Sequence, residues 1–131
     1  MGDCKPALRI LIVEDDPDAA KSLAQYLEAA GHEVVMAPDG RSALAAVAAE
    51  HPDVALIDIG LPDLSGYEVA RHLQQLQAEK RPLLVAITGY GREEDFQRSR
   101  EAGIDLHLVK PADREQLCLL LRRFHAILGK E

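Results

Sequence analysis

A strict alternation of short apolar runs with helix-like segments is the feature that most constrains the fold. The apolar runs lie at 8–13, 33–37, 54–57, 83–87 and 104–109. A segment with apolar residues at helical spacing follows each run, and this order predicts right-handed βαβ units with parallel strands. Parallel strands are buried on both faces, so their sequences are almost entirely apolar, as these runs are. The sequence therefore predicts one α/β domain, with a five-stranded parallel sheet and helices on both faces.

Residues that favour helix termini mark where the predicted helices begin. The helices are predicted over 17–30, 42–49, 66–76, 92–101 and 114–128. Asp16 and Ser65 are N-cap residue types, and Pro17 suits the first helical position. Asp113, with Gln116 three residues later, resembles a capping box. Only short turns remain between the elements, so we expect no second domain and no linker.

Composition and charge narrow the functions that this chain can have. The 131 residues are 47% hydrophobic and 28% charged, which is typical of one globular domain and not of a disordered chain. A net charge of −7 argues against direct nucleic-acid binding, because phosphate backbones attract basic surfaces. The apolar runs are too short for membrane insertion. Cys4 and Cys118 have neither metal nor redox spacing, so we expect reduced thiols in a cytoplasmic protein.

Polar residues follow four of the five predicted strands, at the ends where open parallel sheets bind ligands. Because the carboxyl ends of parallel strands meet at one edge, these residues are predicted to lie together. They are Glu14, Asp15 and Asp16 after the first strand, Asp58 after the third, Thr88 and Gly89 after the fourth, and Lys110 and Pro111 after the fifth. Carboxylates, a hydroxyl and an ammonium in one place predict the handling of a phosphoryl group with a hard metal ion.

The carboxylates at this edge suggest both a metal ion and a nucleophile. Neighbouring carboxylates repel one another, and a divalent cation relieves the repulsion; oxygen ligands favour Mg²⁺, with Mn²⁺ as a substitute. A carboxylate can also attack phosphorus and form an acyl phosphate. Each residue has an ordinary explanation too: Asp16 as a helix cap, Glu14 and Asp15 as solvated residues at a helix N-terminus, Thr88 as a cap and Lys110 as a surface lysine. We do not expect all of these explanations to hold together.

Four stretches of the chain form a specific combination: Leu11–Asp16, Leu56–Pro62 with Gly66, Ile87–Gly89 and Lys110–Pro111. Together they resemble the receiver domain of two-component response regulators. The resemblance covers essentially the whole chain, so residues 1–131 are expected to form one receiver domain with a core over about 7–128. It implies the flavodoxin-like (βα)5 fold, with strand order 2-1-3-4-5.

The resemblance implies a role for each carboxylate. Asp58 matches the aspartate that receivers phosphorylate. Asp15 and Asp58 match direct magnesium ligands, and Glu14 matches the acid that holds the metal through water. The backbone carbonyl of Gly60 matches a further metal ligand.

The other edge residues match the parts of a receiver that bind the phosphoryl group. Thr88 matches the hydroxyl that moves toward it, with Gly89 beside it, and Lys110 matches the lysine that pairs with it. Pro111 follows that lysine, where the family has a cis peptide bond.

The chain departs from the family pattern at positions that affect the switch and the lifetime of the phosphoryl group in receivers. The switch residue on the fifth strand is usually Tyr or Phe, and here it is His107. Its ring is expected to turn inward as a switch together with Thr88, and the alternative is an ordinary half-exposed strand residue. Gly60 and Tyr90 occupy the positions that tend to set the lifetime of the phosphoryl group, and Tyr90 is large enough to shield it from water.

The segments near the fifth strand are expected to carry the output of the switch. The helix predicted over 92–101 is mostly charged, with Phe96 as its single large apolar residue, so few buried contacts would hold it. Cys118 and Leu119 fall outside the main apolar stripe of the last helix. They either extend the core, which we favour, or form a small partner patch.

These observations predict a signalling receiver, not an enzyme in the usual sense. A histidine kinase or a histidine phosphotransfer domain is expected to donate a phosphoryl group to Asp58 with Mg²⁺ present, and the receiver catalyses part of this transfer and of its own dephosphorylation. Phosphorylation then shifts the surface around helix 4, strand 5 and helix 5. The protein is expected to be a monomer or weak dimer.

Two other functions fit part of the pattern. One is a small Mg²⁺-dependent phosphatase that acts through an Asp58 acyl phosphate. The other is a docking module with a vestigial site, although the joint presence of the polar residues argues against it. The receiver could stand alone or belong to a hybrid sensor histidine kinase, as the stretch from Thr88 to Gly91 and His107 suggest.

Overall fold

A five-stranded parallel sheet forms the centre of the protein. The computed structural model of the chain describes residues 8–61, 63–76, 81–88, 93–109 and 114–128. The strands are β1 (Arg9–Val13), β2 (Glu33–Ala37), β3 (Val54–Asp58), β4 (Leu83–Thr88) and β5 (Leu106–Val109), and their order across the sheet is 2-1-3-4-5. Both the predicted fold class and the predicted strand order are confirmed.

Five helices connect and cover the strands. They are α1 (Pro17–Ala29), α2 (Gly40–Glu50), α3 (Gly66–Leu73), α4 (Glu93–Glu101) and α5 (Arg114–Leu128). The Asp16 side chain accepts hydrogen bonds from two backbone N–H groups in the first turn of α1, and Pro17 begins the helix. Ser65 and Glu68 form a reciprocal capping box at the start of α3. The predicted caps at Asp16 and Ser65 are confirmed, whereas the one at Asp113 lies outside the described residues.

Two apolar layers hold the helices to opposite faces of the sheet. On β1, Ile10 and Ile12 pack toward α1 and α5, while Leu11 and Val13 pack toward α2 and α3. All four side chains are buried. Burial of each such side chain contributes roughly 1.5–3 kcal/mol. The unbroken apolar character of the strand follows from this two-sided burial.

Three predicted boundaries were wrong by two or three residues. α2 begins at Gly40, not 42, because the Asp39 carboxylate accepts a hydrogen bond from Ser42 N at 2.8 Å and caps the earlier turn. α3 ends at Leu73, three residues before the predicted end. β5 begins at Leu106, not at 104, because the Asp105 side chain accepts a hydrogen bond from Leu84 N at 2.8 Å. At this position the Asp105 carboxylate, and not a backbone carbonyl, accepts the hydrogen bond from Leu84 N.

One expectation about α5 needs correction. Leu119 is 53% exposed, so it belongs to the surface and not to the core. It lies two positions after the buried Leu117, which turns it to the opposite side of a helix. Cys118 is half-buried. Cys4 lies outside the described residues.

The part of the chain that the structure describes contains no candidate transmembrane helix. None of its helices is both long enough and apolar enough to cross a bilayer.

The loop between β3 and α3 is fixed by one carboxylate. Asp63 accepts hydrogen bonds from Gly40 N at 2.7 Å and from Arg41 N at 3.0 Å, at the N-terminus of α2. The bond from Gly40 is the main reason that the pKa of Asp63 lies below its ordinary value, although desolvation opposes it. This contact ties the loop that follows Asp58 to the body of the domain.

Gly66 lies too close to the preceding loop to carry a side chain. An added Cβ would be 2.8 Å from Ile59 Cδ1 and 2.9 Å from Ile59 Cα. We therefore expect Gly66→Ala to lower the free energy of unfolding by about 1–3 kcal/mol, as overpacking does elsewhere. Urea denaturation of the two proteins measures this.

Gly60→Ala is the matched control for this substitution. A Cβ at Gly60 would have its nearest neighbour, Asp58 Oδ1, at an ordinary 3.9 Å. Its unfolding free energy should therefore stay close to that of the wild type. Equal losses in both variants would contradict the packing explanation.

Candidate functional site

Three carboxylates meet at the carboxyl edge of the sheet. Glu14 and Asp15 follow the last residue of β1, and Asp58 is the last residue of β3. β1 and β3 are neighbours that pair in parallel, with Val13 opposite Ile57, so both strands deliver their next residues to one place. One ligand oxygen from each carboxylate lies within 4.8 Å of the others. The predicted cluster is therefore present among the described residues.

The residues that flank the cluster hold its carboxylates in place. Asp16 N donates to Glu14 Oε2 at 3.1 Å, while the Asp16 side chain caps α1. Asp16 therefore takes the ordinary role that the sequence allowed for it. Gly60 N donates to Asp58 Oδ1 at 3.1 Å, which restrains rotation of the Asp58 carboxylate.

The charges of the cluster suit a divalent cation. Two negative charges a few ångströms apart near a protein surface repel by on the order of 1–3 kcal/mol. Ligand oxygens of an octahedral Mg²⁺ lie about 2.0–2.1 Å from the metal, hence about 3–4 Å from one another. Oxygens within 4.8 Å, two of them on half-buried residues, need only small side-chain adjustments to reach that spacing. The donor set therefore fits a hard, oxygen-preferring ion.

Thr88 lies one strand away from the cluster. It ends β4 and is buried, with 5% of its surface exposed. Asp58 pairs with Ile87 on β4, so Thr88 is the next residue along the same edge. Its neighbour on β5 is Val109. The structure thus places Thr88 on the strand next to that of Asp58, one residue beyond the partner of Asp58.

Four predicted site residues lie outside the described residues. They are Gly89, Tyr90, Lys110 and Pro111. Their assignments stay predictions from the sequence, as does the carbonyl role of Gly60, whose amide contact with Asp58 is described above.

His107 makes a specific contact with α4. Its Nδ1 lies 2.6 Å from the hydroxyl oxygen of Ser99, which is only 2% exposed. On β5, His107 pairs with the small Ala86, two residues before Thr88. The half-buried ring is therefore hydrogen-bonded to α4. Sequence reasoning missed Ser99, a small polar residue between Arg98 and Arg100 that no pattern in the sequence marks.

Arg114 is the second residue that the sequence did not reveal. It begins α5 and lines a cavity of about 270 Å³ together with Asp58, Glu14 and Ser22. The only sequence signal was a basic residue four positions after Lys110. Its place beside the carboxylates depends on how α5 packs against α1.

Comparisons with known proteins agree on one family. The response regulator receiver domain matches residues 10–122. Protein PilH of Pseudomonas aeruginosa is 34% identical over 121 residues, which cover 92% of this chain and 98% of PilH. A CheY-like receiver domain protein from Methanospirillum hungatei has a structure with a TM-score of 0.83 and 31% identity, covering 96% of this chain and 100% of that one.

A second solved structure bears on the metal site. The receiver domain of sensor histidine kinase PA1611 from Pseudomonas aeruginosa has a magnesium ion coordinated in its active-site cleft. It is 28% identical to this chain with a TM-score of 0.81, and the match covers 91% of this chain and 98% of that one.

Asp15→Asn should abolish most of the stabilisation by Mg²⁺. At a Mg²⁺ concentration of about ten times Kd, the wild type should gain about 1.4 kcal/mol in unfolding free energy. The variant should gain less than a third of this, because it loses one charged ligand. Urea denaturation with and without MgCl₂ measures both gains.

Asp18→Asn serves as the control, because Asp18 is exposed in the first turn of α1 and outside the cluster. It should keep the full gain. The metal assignment fails if Asp15→Asn retains as much Mg²⁺ stabilisation as this control.

Proposed function

The chain belongs to the response regulator receiver domain family, and from that premise we propose that Asp58 accepts a phosphoryl group with Mg²⁺ bound beside it. The observation that carries this proposal is the cluster of Glu14, Asp15 and Asp58, with ligand oxygens within 4.8 Å at the carboxyl edge of the sheet. The family exchanges phosphoryl groups with histidine kinases or phosphotransfer proteins. We infer such a protein as the donor here.

The transfer step requires an oxygen of Asp58 to attack phosphorus. The new bond joins that oxygen to phosphorus, and the bond between phosphorus and the donor's leaving atom breaks, with its electron pair staying on the leaving group. The Gly60 N–H holds Asp58 Oδ1 and so limits the orientations from which the carboxylate attacks. Mg²⁺, held by Asp15, Asp58 and the Gly60 carbonyl and through water by Glu14, would supply positive charge at the phosphoryl oxygens; Mn²⁺ would substitute for it.

Thr88, with Gly89 beside it, and Lys110 are proposed to bind the phosphoryl oxygens once the group is on Asp58. The support for Thr88 is its position next to Ile87, the β4 partner of Asp58. Lys110 directly follows the last residue of β5 in the sequence. Lifetime tuning by Gly60 and Tyr90 and a cis bond before Pro111 belong to the same proposal.

A small phosphatase and a vestigial docking module are the less favoured functions. Membership of the receiver family argues against the first, and the intact carboxylate cluster argues against the second. A phosphatase would turn over an added phosphomonoester many times, whereas a receiver labels itself once. A similar receiver makes up almost the whole of PilH, and another is a domain of sensor histidine kinase PA1611. Either context suits this chain.

Asp58→Ala should abolish acyl phosphate formation. The wild type, incubated with MgCl₂ and acetyl phosphate, should gain the mass of one phosphoryl group in an intact mass spectrum. The variant should gain none, because it has no nucleophile at this position. EDTA should prevent labelling of the wild type.

Asp18→Ala is the matched control, since Asp18 is an exposed aspartate of α1 outside the cluster. It should label as the wild type does. Labelling of Asp58→Ala at the wild-type level would contradict the assignment of the nucleophile.

We also propose that His107 couples phosphorylation of Asp58 to a conformational change in α4. Its hydrogen bond to the buried Ser99 joins β5 to α4, and it neighbours Ala86 on the strand that ends in Thr88. A second polar contact joins α4 to α3, where the Arg98 guanidinium lies 4.4 Å from the Tyr67 ring centroid. If Thr88 moves toward a phosphoryl group, the adjacent ring gains room and its bond to Ser99 changes. The surface around α4, β5 and α5 then shifts.

Ser99→Ala should weaken this coupling. Removal of the hydroxyl leaves a ring nitrogen without its partner, so the unfolding free energy should fall by about 1–3 kcal/mol. Hydrogen exchange in α4 should already be faster before phosphorylation, and phosphorylation should change it less than in the wild type.

Gln97→Ala is the control, because Gln97 is exposed on the same helix. It should keep the wild-type response of α4 to phosphorylation. The proposed role of His107 is wrong if Ser99→Ala responds as fully as this control.

A further inference from the structure

A cavity of about 270 Å³ lies beside the phosphorylation site, on the face of the sheet covered by α1 and α5. Its inner wall is apolar and includes Ile12, Leu56 and Ile87. Its polar wall is formed by Glu14, Asp58, Ser22 and Arg114. Of these residues, Arg114 carries the positive charge, and its side chain is exposed to solvent. An anion that approaches Asp58 along this side therefore meets a guanidinium.

Two contacts with α1 hold Arg114 in this position. Its Nη2 donates to Ser22 Oγ at 2.7 Å, and its guanidinium carbon lies 5.3 Å from the Tyr26 ring centroid. The Tyr26 hydroxyl in turn donates to the Arg114 backbone carbonyl at 3.2 Å. Among the described residues no carboxylate forms an ion pair with Arg114. The charge is thus held at the cavity wall by neutral partners.

The charge matters because the site repels its own substrate. A phosphoryl donor carries negative charge, and it must approach Glu14, Asp15 and Asp58 in a chain with a net charge of −7. A cation near the path of approach lowers this repulsion and raises the local concentration of an anion. Arginine also offers several N–H donors in a planar arrangement that matches phosphoryl oxygens.

We propose that Arg114 binds the phosphoryl oxygens of the incoming donor and positions it for attack by Asp58. This inference rests on the proposed function and adds a residue that determines which donors the receiver accepts: those that present a phosphoryl dianion. The guanidinium exchanges its bond with Ser22 for bonds to the phosphoryl oxygens. No covalent bond to Arg114 forms; the phosphorus–oxygen bond to Asp58 forms as the bond to the leaving group breaks, and the leaving group keeps the electron pair.

The test compares phosphorylation rates of four proteins with two small donors. Wild type, Arg114→Gln, Arg114→Lys and the control Arg122→Gln are incubated with MgCl₂ and either acetyl phosphate or phosphoimidazole, and the labelled fraction is followed by intact mass. Arg114→Gln should lower the second-order rate constant about three- to fivefold for both donors, the effect of one exposed charge contact. Arg114→Lys should keep most of the rate. Arg122→Gln should keep all of it, because Arg122 is an exposed residue of the same helix that does not line the cavity.

Three further results sharpen the test. The difference between wild type and Arg114→Gln should shrink at high ionic strength, because an exposed charge is screened by salt. The rate at which the labelled proteins lose the phosphoryl group should be the same in both. A loss with acetyl phosphate alone would overturn the proposal, because Arg114 would then bind the leaving carboxylate instead of the phosphoryl group.

Two other outcomes would also overturn it. Arg114→Gln could label as fast as the wild type, or Arg114→Gln and Arg122→Gln could slow equally, which would make the effect one of the total charge of α5 and not of the position of Arg114. Failure of the wild type itself to label would be a failure of the proposed function and of this inference with it. Normal wild-type labelling with an unaffected Arg114→Gln overturns the inference alone.

Discussion

The parallel pairing of β1 with β3 is the constraint on which the rest of the structure depends. Its register places Val13 opposite Ile57, so the two strands end at the same level of the sheet. Glu14, Asp15 and Asp58 therefore lie close together. An antiparallel arrangement would send these carboxylates to opposite edges. The two apolar layers that clamp β1 on both faces fix this register, because a shift of one residue would exchange the side chains of the two layers.

A tightly packed sheet supports a site whose own interactions are less favourable. The carboxylates of Glu14, Asp15 and Asp58 repel one another. α4 contrasts with the sheet, because the described contacts that hold it are largely polar: the hydrogen bond between Ser99 and His107, and the stacking of Arg98 on Tyr67. Exchanging the partners of such polar contacts costs less free energy than rearranging a packed core. The domain therefore combines a tightly packed sheet with a helix whose described contacts are easier to exchange.

The sequence allowed the fold and the carboxylate cluster to be predicted because both follow from local patterns. Apolar runs locate the strands, and polar residues directly after them share an edge once the sheet is parallel. Ser99 and Arg114 could not be predicted in this way, since their roles depend on which element packs beside them. The same limit applies to Leu119. It was expected in the core because it is apolar, but its angular position on α5 leaves it exposed. The start of β5 was missed because a side chain of Asp105 replaces a backbone partner.

The most direct test of this account is a crystal structure of the protein grown with Mg²⁺ and beryllium fluoride, which mimics an acyl phosphate. The account predicts beryllium bound to a carboxylate oxygen of Asp58. It also predicts Mg²⁺ at about 2.0–2.1 Å from oxygens of Asp15, Asp58 and the Gly60 carbonyl. Beryllium on another side chain, or Mg²⁺ bound away from these three residues, would contradict the central claim that this edge of the sheet is built to receive a phosphoryl group.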